Sequence, residues 1–309
     1  MSSPPDRTRA ALLLTNRLVR LDAAPMTARE FWQLVEHVDP GELLDADAAT
    51  IAERAGVADD EAVRYRTLLD AATAMSFEQE RLADGGISLI SALDDSFPTQ
   101  LRDRLGHGCP PFLLTAGRID QLGGPSLGVV GSREADQPAL DVARRAGELA
   151  VEHGRTVVTG LARGVDRAAI DGALDAGGVA VGIPAEGISL ASRSAEVRRR
   201  VHAGELCIAS PYAPDARFSM GSANGRNKIV YALSQVTFVV AADDGTGGTW
   251  AGAKEALERR YCPVAAWMGD DAKAGNHALV RRGATPITDL TRLFDIDDLE
   301  PEPLQEPLF

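Results

Sequence analysis

Two hydrophobic rhythms succeed one another along the chain. Up to about residue 84 the apolar positions recur at helical spacing with turn-length links between them. They predict helices over 7–21, from Thr27 onward, over 47–55 and over 59–83. Thr27 and Glu30 have capping-box spacing, in which each side chain satisfies a backbone N–H that the first turn leaves open. Gly56 and Gly85-Gly86 stop two of these helices. Residues 50–56 have a helix-turn-helix flavour. No strongly basic helix follows them, so a plain helical bundle is expected for this small N-terminal all-α domain, residues 1–84.

From residue 87 the rhythm changes. Short continuous apolar runs at 87–91, 127–130, 156–159, 179–183, 206–209, 236–241 and 263–267 alternate with helical segments. Strands that are apolar on both faces need cover on both faces, which means a mostly parallel sheet between helix layers. Segments 94–98 and 110–114 read as turns leading into extended chain. Pro138 opens a helix that Gly154 stops, and Asp166 opens another that Gly177-Gly178 stops. The expected fold class is α/β: an extended Rossmann-like, doubly wound sheet over residues 85–290, preceded by the helical domain. Ligands of such sheets bind beyond the carboxyl ends of the strands. Residues 291–309 form an acidic tail with three prolines, expected to be disordered.

Charge first argues against a polyanionic ligand, because the net value is −13. Its distribution points the other way. Residues 1–80 carry 15 acids and 8 bases, and residues 289–309 carry 7 acids and 1 base. The segment between them holds 23 of each and is neutral, so it has room for a local basic pocket. No run approaches the ~20 apolar residues of a membrane span, and no signal sequence opens the chain, so a cytoplasmic protein without membrane contact is expected. Cys109, Cys207 and Cys262 lie far apart without metal-ligand spacing and read as buried thiols; neither metal nor cofactor is expected.

Candidate chemistry sits at three glycine-rich strand ends, which a parallel sheet brings to one rim. At Gly131-Ser132-Arg133 the glycine allows a tight turn with amides free for an anion. The serine adds a hydroxyl, and the arginine adds a planar fork that fits phosphate oxygens. Gly160 to Gly164, with Arg163 between them, repeats the logic, and Asp166 is placed to cap the next helix. The third turn, Gly245 to Thr249, puts Gly247, Gly248 and Thr249 directly before a helix expected over 250–260. Three such turns on one rim point to a phosphate-bearing ligand. Arg226, Asn227 and Lys228 add a fourth element, and the nearby Tyr212 and Phe218 either stack on bases or close the core.

Taken in order, these motifs resemble the DNA-processing protein A (DprA/Smf) family. The resemblance rests on the Gly131-Ser132-Arg133 turn, residues 159–166, Arg226-Asn227-Lys228-Ile229 with Ala232-Leu233-Ser234, and Gly275-Asn276 with Leu279 and Gly283-Ala284. The lead-in at Gly85-Gly86-Ile87, Asp94, Phe97-Pro98 and Pro110-Pro111 fits too, so the likeness covers about residues 80–290. It implies an extended Rossmann domain that binds single-stranded DNA, commonly as a homodimer, and passes the strand to RecA in transformable bacteria. It implies no catalytic step. By position Gly131, Ser132, Arg133, Gly160, Arg163 and Gly164 would line the DNA pocket, with Arg226, Asn227 and Lys228 beside it. The chain departs from the family at Ile170, where a histidine is usual, at Lys228, where an arginine is usual, and at Ala241-Ala242, where an acid is usual. A C-terminal winged-helix domain is not expected. These departures bear on RecA loading more than on DNA binding, and they suit a specialised defence or antitoxin paralogue equally.

Two further readings stand beside this one. The end of the chain, with Gln305, Leu308 and Phe309, has the Gln-x-x-Leu-Phe pattern that docks in the bacterial sliding clamp, where two apolar side chains fill a groove and a glutamine anchors them. An enzyme reading would make the chain a nucleotide phosphoribohydrolase of the same superfamily, but the pattern misaligns. Its glutamate position falls on Gly252, and Glu255 lies six residues past Thr249 rather than three. A nucleotide-binding sensor fits every motif.

Overall fold

The structure, a computed structural model, describes residues 5–296. The tail expected to be disordered from residue 291 is ordered at its start, where Leu290–Ile296 form a 3-10 helix that buries Leu293 and Ile296 in the core. The rest of that tail and the clamp motif at Gln305, Leu308 and Phe309 lie outside the described residues. The N-terminal stretch folds into α1 (Asp6–Leu14), α2 (Ala28–Val35), α3 (Ala48–Ala55), α4 (Asp59–Leu69) and α5 (Ala72–Asp84). The Thr27–Glu30 capping box forms as expected.

Two helices are shorter than their hydrophobic rhythm suggested. The first ends at Leu14 instead of 21, because Thr15 Oγ1 donates to Ala11 O (2.7 Å) and the Asn16 side chain accepts from Leu18 N–H (2.6 Å) and Val19 N–H (3.0 Å). Such local bonds offer the backbone an alternative to the helix. The 59–83 segment breaks at Asp70-Ala71, so that α4 packs on α1 and α3 while α5 turns away to pack on the first strand.

Nine strands follow: β1 (Ile87–Ser91), β2 (Phe112–Ala116), β3 (Ser126–Gly131), β4 (Thr156–Thr159), β5 (Ala180–Gly182), β6 (Leu206–Ser210), β7 (Val236–Ala241), β8 (Val264–Trp267) and β9 (Thr285–Ile287). Their spatial order is β1-β2-β6-β5-β4-β3-β7-β8-β9. The pairings β1–β2 and β2–β6 are antiparallel, and the six from β6 to β9 are parallel. The segment at 110–114, read as a turn leading into extended chain, runs into β2, the second strand from the edge, every residue of which is buried.

Among the described residues the remaining α-helices are α6 (Thr99–Leu105), α7 (Gln137–Glu152), α8 (Val165–Asp175), α9 (Ile188–Ala191), α10 (Ala195–His202), α11 (Met220–Leu233), α12 (Gly247–Arg259) and α13 (Ala274–Val280). α7 and α8 pack on each other and on β3 and β4, while α11 and α12 pack on each other, α11 against β3 and β4 and α12 against β7 and β8. The right-handed rule for parallel crossovers sets the two pairs on opposite faces. Every residue of β7 is buried, as strands covered on both faces must be. Glycines let α7 and α8 approach closely, since a Cβ at Gly147 or Gly172 would lie 2.2 Å from Ala169 O or 2.1 Å from Arg144 O.

The helical stretch does not float beside the sheet. Trp32 Nε1 donates to Cys109 O (2.8 Å), Thr8 Oγ1 donates to Asp94 Oδ1 (2.5 Å), and one hydrophobic core runs through both parts. Among the described residues no helix is long and apolar enough to cross a membrane. The sheet order creates one switch point. The chain steps outward from β3 through β4 and β5 to β6, then returns to lay β7 on the other side of β3. The loops leaving β3 and β7 diverge there, and a crevice opens between them.

Candidate nucleic-acid interface

A cleft of about 390 Å3 occupies that crevice. Gly131, Ser132, Arg133 and Glu134 wall it from β3, Ala162, Arg163 and Asp166 from β4, and residues 241–243 and 246–249 from β7. Phe218, Met220, Arg226, Asn227 and Tyr231 close it from α11 and the loop before it.

Each turn is shaped for its place. A Cβ on Gly131 would stand 2.6 Å from Val165 Cγ2, so only glycine lets β3 end against α8. Gly164 has φ +79° and ψ −131°, a region closed to side chains, and it packs on Ser132 O. At Gly160 a Cβ would fall on the Arg226 guanidinium itself. Gly160 and Gly164 thus shape the walls without lining the cleft.

The amides are not equally free. Ser132 N–H donates to Ala241 O (3.0 Å), and Glu134 N–H donates to Ser132 Oγ (3.1 Å), so the first turn is largely spent on its own structure. Ala162 N–H is spent on Asp166 Oδ2 (3.3 Å). The third turn differs. α12 begins at Gly247 instead of 250, so Gly247, Gly248 and Thr249 form its first turn, whose N–H groups have no intrahelical partner. Thr246, at the N-cap, makes no side-chain cap. This helix end carries partial positive charge into the cleft.

Behind the walls lies a buried ion pair, with Arg226 Nη1 3.8 Å from Asp166 Oδ2 and both side chains almost wholly covered. Burial pushes the Asp166 carboxyl up from its ordinary range, against Arg226 and the N–H groups of Ala162 and Gly160, which pull it down. Burial likewise pulls the Arg226 guanidinium down, and Asp166 opposes it. Arg226 Nε and Tyr231 OH are buried with no hydrogen-bond partner among the described residues. Burial also raises the Tyr231 hydroxyl well above its usual value.

The structure separates residues that the sequence grouped. Arg133 is exposed at the mouth, its guanidinium carbon 5.0 Å from the centre of the Phe218 ring, which is itself 46% exposed. Tyr212, the other candidate stacking ring, is half-buried and donates its hydroxyl to Ser222 O (2.6 Å), and burial pushes that hydroxyl to about 12. Asn227 Nδ2 donates to Gly248 O (3.1 Å) and ties α11 to the α12 turn. Lys228 is not among the lining residues, for it faces α12 and pairs with Glu255 (2.8 Å). Glu255, the nearest glutamate for a hydrolase, is engaged there and with Tyr261 OH (3.3 Å). Ile170 is buried in α8.

Sequence reasoning missed Glu134, Tyr231 and the purpose of Gly275-Asn276. Asn276 is fully buried. Its Nδ2 donates to Val240 O and Trp267 O (both 2.9 Å), and its Oδ1 accepts from Ala242 N–H (2.9 Å). It holds the ends of β7 and β8 together behind the cleft wall, and a Cβ on Gly275 would lie 2.3 Å from Ala242 O. The spacing of a Gly-Asn pair after the last long strand was the only signal available.

Comparison with known proteins places this geometry. The chain is 33% identical over 191 residues to a Mycobacterium tuberculosis protein carrying the name DNA processing protein DprA; the match covers 59% of this chain and 48% of that one, so the chain spans about half the length of this relative. It is 27% identical over 202 residues to DNA processing protein DprA of Streptococcus pneumoniae, covering 64% of this chain and 70% of that one. The X-ray structure of the Streptococcus pneumoniae DprA superposes with a TM-score of 0.73 at 23% identity, covering 96% of this chain and 98% of that one, and shows the shared fold. A DNA processing protein A from Helicobacter pylori, whose structure concerns its single-stranded DNA binding mode, gives 0.56 at 22% identity over 68% of this chain and 94% of that one. A family model described as DNA recombination-mediator protein A matches residues 88–296, a span that takes in the sheet and both walls of the cleft, and the chain belongs to that family.

Proposed function

We propose that this protein binds single-stranded DNA across the β3/β7 rim and acts by holding the strand in DNA processing, recombination or uptake, without a catalytic step. One observation carries the reading. At the switch point an exposed Arg133 guanidinium, the exposed Phe218 ring beside it and the open first turn of α12 converge on one cleft. Phosphate contacts suit the arginine and the helix end, and a base stacks on the aromatic face in a way that tolerates any sequence. The single-stranded DNA binding named for the Helicobacter pylori relative supports this reading.

With it go the family's expected homodimer, a cytoplasmic location, a hand-over of the strand to RecA or a specialised defence or antitoxin role, and an organisation into helical, Rossmann-like and tail segments. Sliding-clamp docking through Gln305, Leu308 and Phe309 belongs to the same proposal. Deleting residues 305–309 should abolish clamp pull-down and leave oligo-dT affinity intact; an unchanged pull-down refutes it.

A cleft of about 390 Å3 also has room for a single nucleotide, which keeps the sensor reading as the alternative. Titrating labelled oligo-dT and mononucleotides over a range of salt separates the two. The DNA reading expects oligo-dT affinity that falls steeply with salt and at least tenfold on Arg133→Ala. Binding or cleavage of mononucleotides with indifference to oligo-dT would overturn it.

A further inference from the structure

The ionisable groups that line the cleft cancel: Arg133, Arg163 and Arg226 stand against Glu134, Asp166 and Asp243. That balance is unexpected for a surface that receives a polyanion, whose affinity comes largely from unneutralised cations. The cancellation is not uniform in depth. The Asp166–Arg226 pair is buried and belongs to the scaffold. At the mouth Arg163 Nη2 meets Glu134 Oε1 at 3.0 Å, with side chains 73% and 82% exposed. Arg133, one residue before Glu134, has no acidic partner among the described residues.

We propose that Glu134 is an internal counter-ion that occupies Arg163 in the empty protein and is displaced by a phosphate when a strand binds, so that it sets affinity and salt dependence at this site. The inference rests on the DNA-binding reading above and names one residue that tunes it.

Three features favour displacement over a fixed structural pair. An ion pair this exposed is worth little in water, so a phosphate can replace it at small cost. Glu134 is held by its backbone, whose N–H donates to Ser132 Oγ, so its side chain is free to swing away while the turn keeps its shape. Arg163 stands between Leu161, in the left-handed region at φ +55°, and Gly164, whose packing on Ser132 O fixes the loop over the β3 turn, so the backbone that presents Arg163 to the mouth does not depend on its ion-pair partner. The next acid along, Asp136, cannot take over as partner. It caps α7 through Ala139 N–H and pairs with Lys273 on the opposite flank.

The test is a double-mutant cycle on the full chain, reading oligo-dT affinity against salt for wild type, Glu134→Gln, Arg163→Ala and the double variant. Glutamine keeps the size of the side chain and removes its charge. Glu134→Gln should bind oligo-dT about threefold tighter at low salt. It should also steepen the slope of log affinity against log salt by at most about 0.7, the value for one phosphate on a single strand, because the charge of the displaced Glu134 no longer offsets the Arg163–phosphate contact. Arg163→Ala should weaken binding and abolish that gain, so that the double variant matches Arg163→Ala alone. An equal gain from Glu134→Gln in both backgrounds would mean simple repulsion of the strand by Glu134 and would overturn the inference, as would no gain at all. If Arg133→Ala also leaves oligo-dT affinity unchanged, the DNA-binding reading itself has failed; if Arg133→Ala weakens binding while the cycle shows no coupling, only the counter-ion role has.

Discussion

Asn276 offers the sharpest test of how the site is held. Its amide makes three hydrogen bonds, two buried and one part-buried, donating to Val240 O and, at the part-buried one, Trp267 O, and accepting from Ala242 N–H, all at 2.9 Å. Asn276→Ala removes all three, and with them the side-chain partner of two carbonyls and one N–H beside a fully buried position. At a net ~1 kcal/mol per bond, with a further penalty for the stranded groups, the loss should reach roughly 3–4 kcal/mol. For a chain of this size that is a fall in midpoint of roughly 5–10 °C.

Asn276→Asp sharpens the prediction. It keeps the oxygen that accepts from Ala242 N–H but sets a second oxygen against two carbonyls. The folded protein then favours the protonated carboxyl, and the folded-state pKa of the introduced group rises above its unfolded value. The sign follows: the folded state binds a proton that the unfolded state has released. The stability of Asn276→Asp relative to wild type is therefore greatest at low pH and falls as pH rises above ~4, by up to ~1.4 kcal/mol per unit. Urea denaturation followed by circular dichroism at pH 5 and pH 7 measures both effects. A loss below ~1 kcal/mol for Asn276→Ala, or a pH-independent deficit for Asn276→Asp, would refute the account of Asn276 as the pin between β7 and β8.

The remaining predictions concern the cleft wall. Phe218→Ala should lower oligo-dT affinity by ~1–3 kcal/mol, the worth of one base stack, with little change in the urea midpoint because the ring is exposed; unchanged affinity would remove it from the binding surface. Lys228→Ala should leave oligo-dT affinity within about twofold, since its ammonium lies on Glu255 outside the cleft; a tenfold loss would show that the strand path extends along the outer side of α11.

Much of this architecture was legible in the chain itself. Short apolar runs marked seven of the nine described strands closely, because a strand covered on both faces has no polar side to show. Gly131 and Gly164 were readable as necessities, because a positive φ or a close approach admits no side chain and so leaves a mark in sequence. The early stop of α1 and the break between α4 and α5 were not legible. The apolar rhythm continues through both, and what ends the helices is a local competition by Thr15 and Asn16 in one case and the direction of packing in the other.

At the site itself, the residue types that reach the rim are legible along the chain, but not which of their groups stay open. Gly131-Ser132-Arg133 reads as a ring of free amides, yet β7 takes the Ser132 N–H, and the open amides belong instead to the first turn of α12. Arg226 and Lys228 are two positions apart and look equivalent. The helical turn sends one into the buried pair with Asp166 and the other outward to Glu255. Tyr212 and Phe218 look like matching aromatic platforms, and only burial separates the ring bound to Ser222 from the ring left open beside Arg133. Hydrogen bonds and ion pairs between residues far apart in sequence carry no periodicity. The sequence therefore names the groups at the cleft, and the tertiary structure decides which of them are already spent.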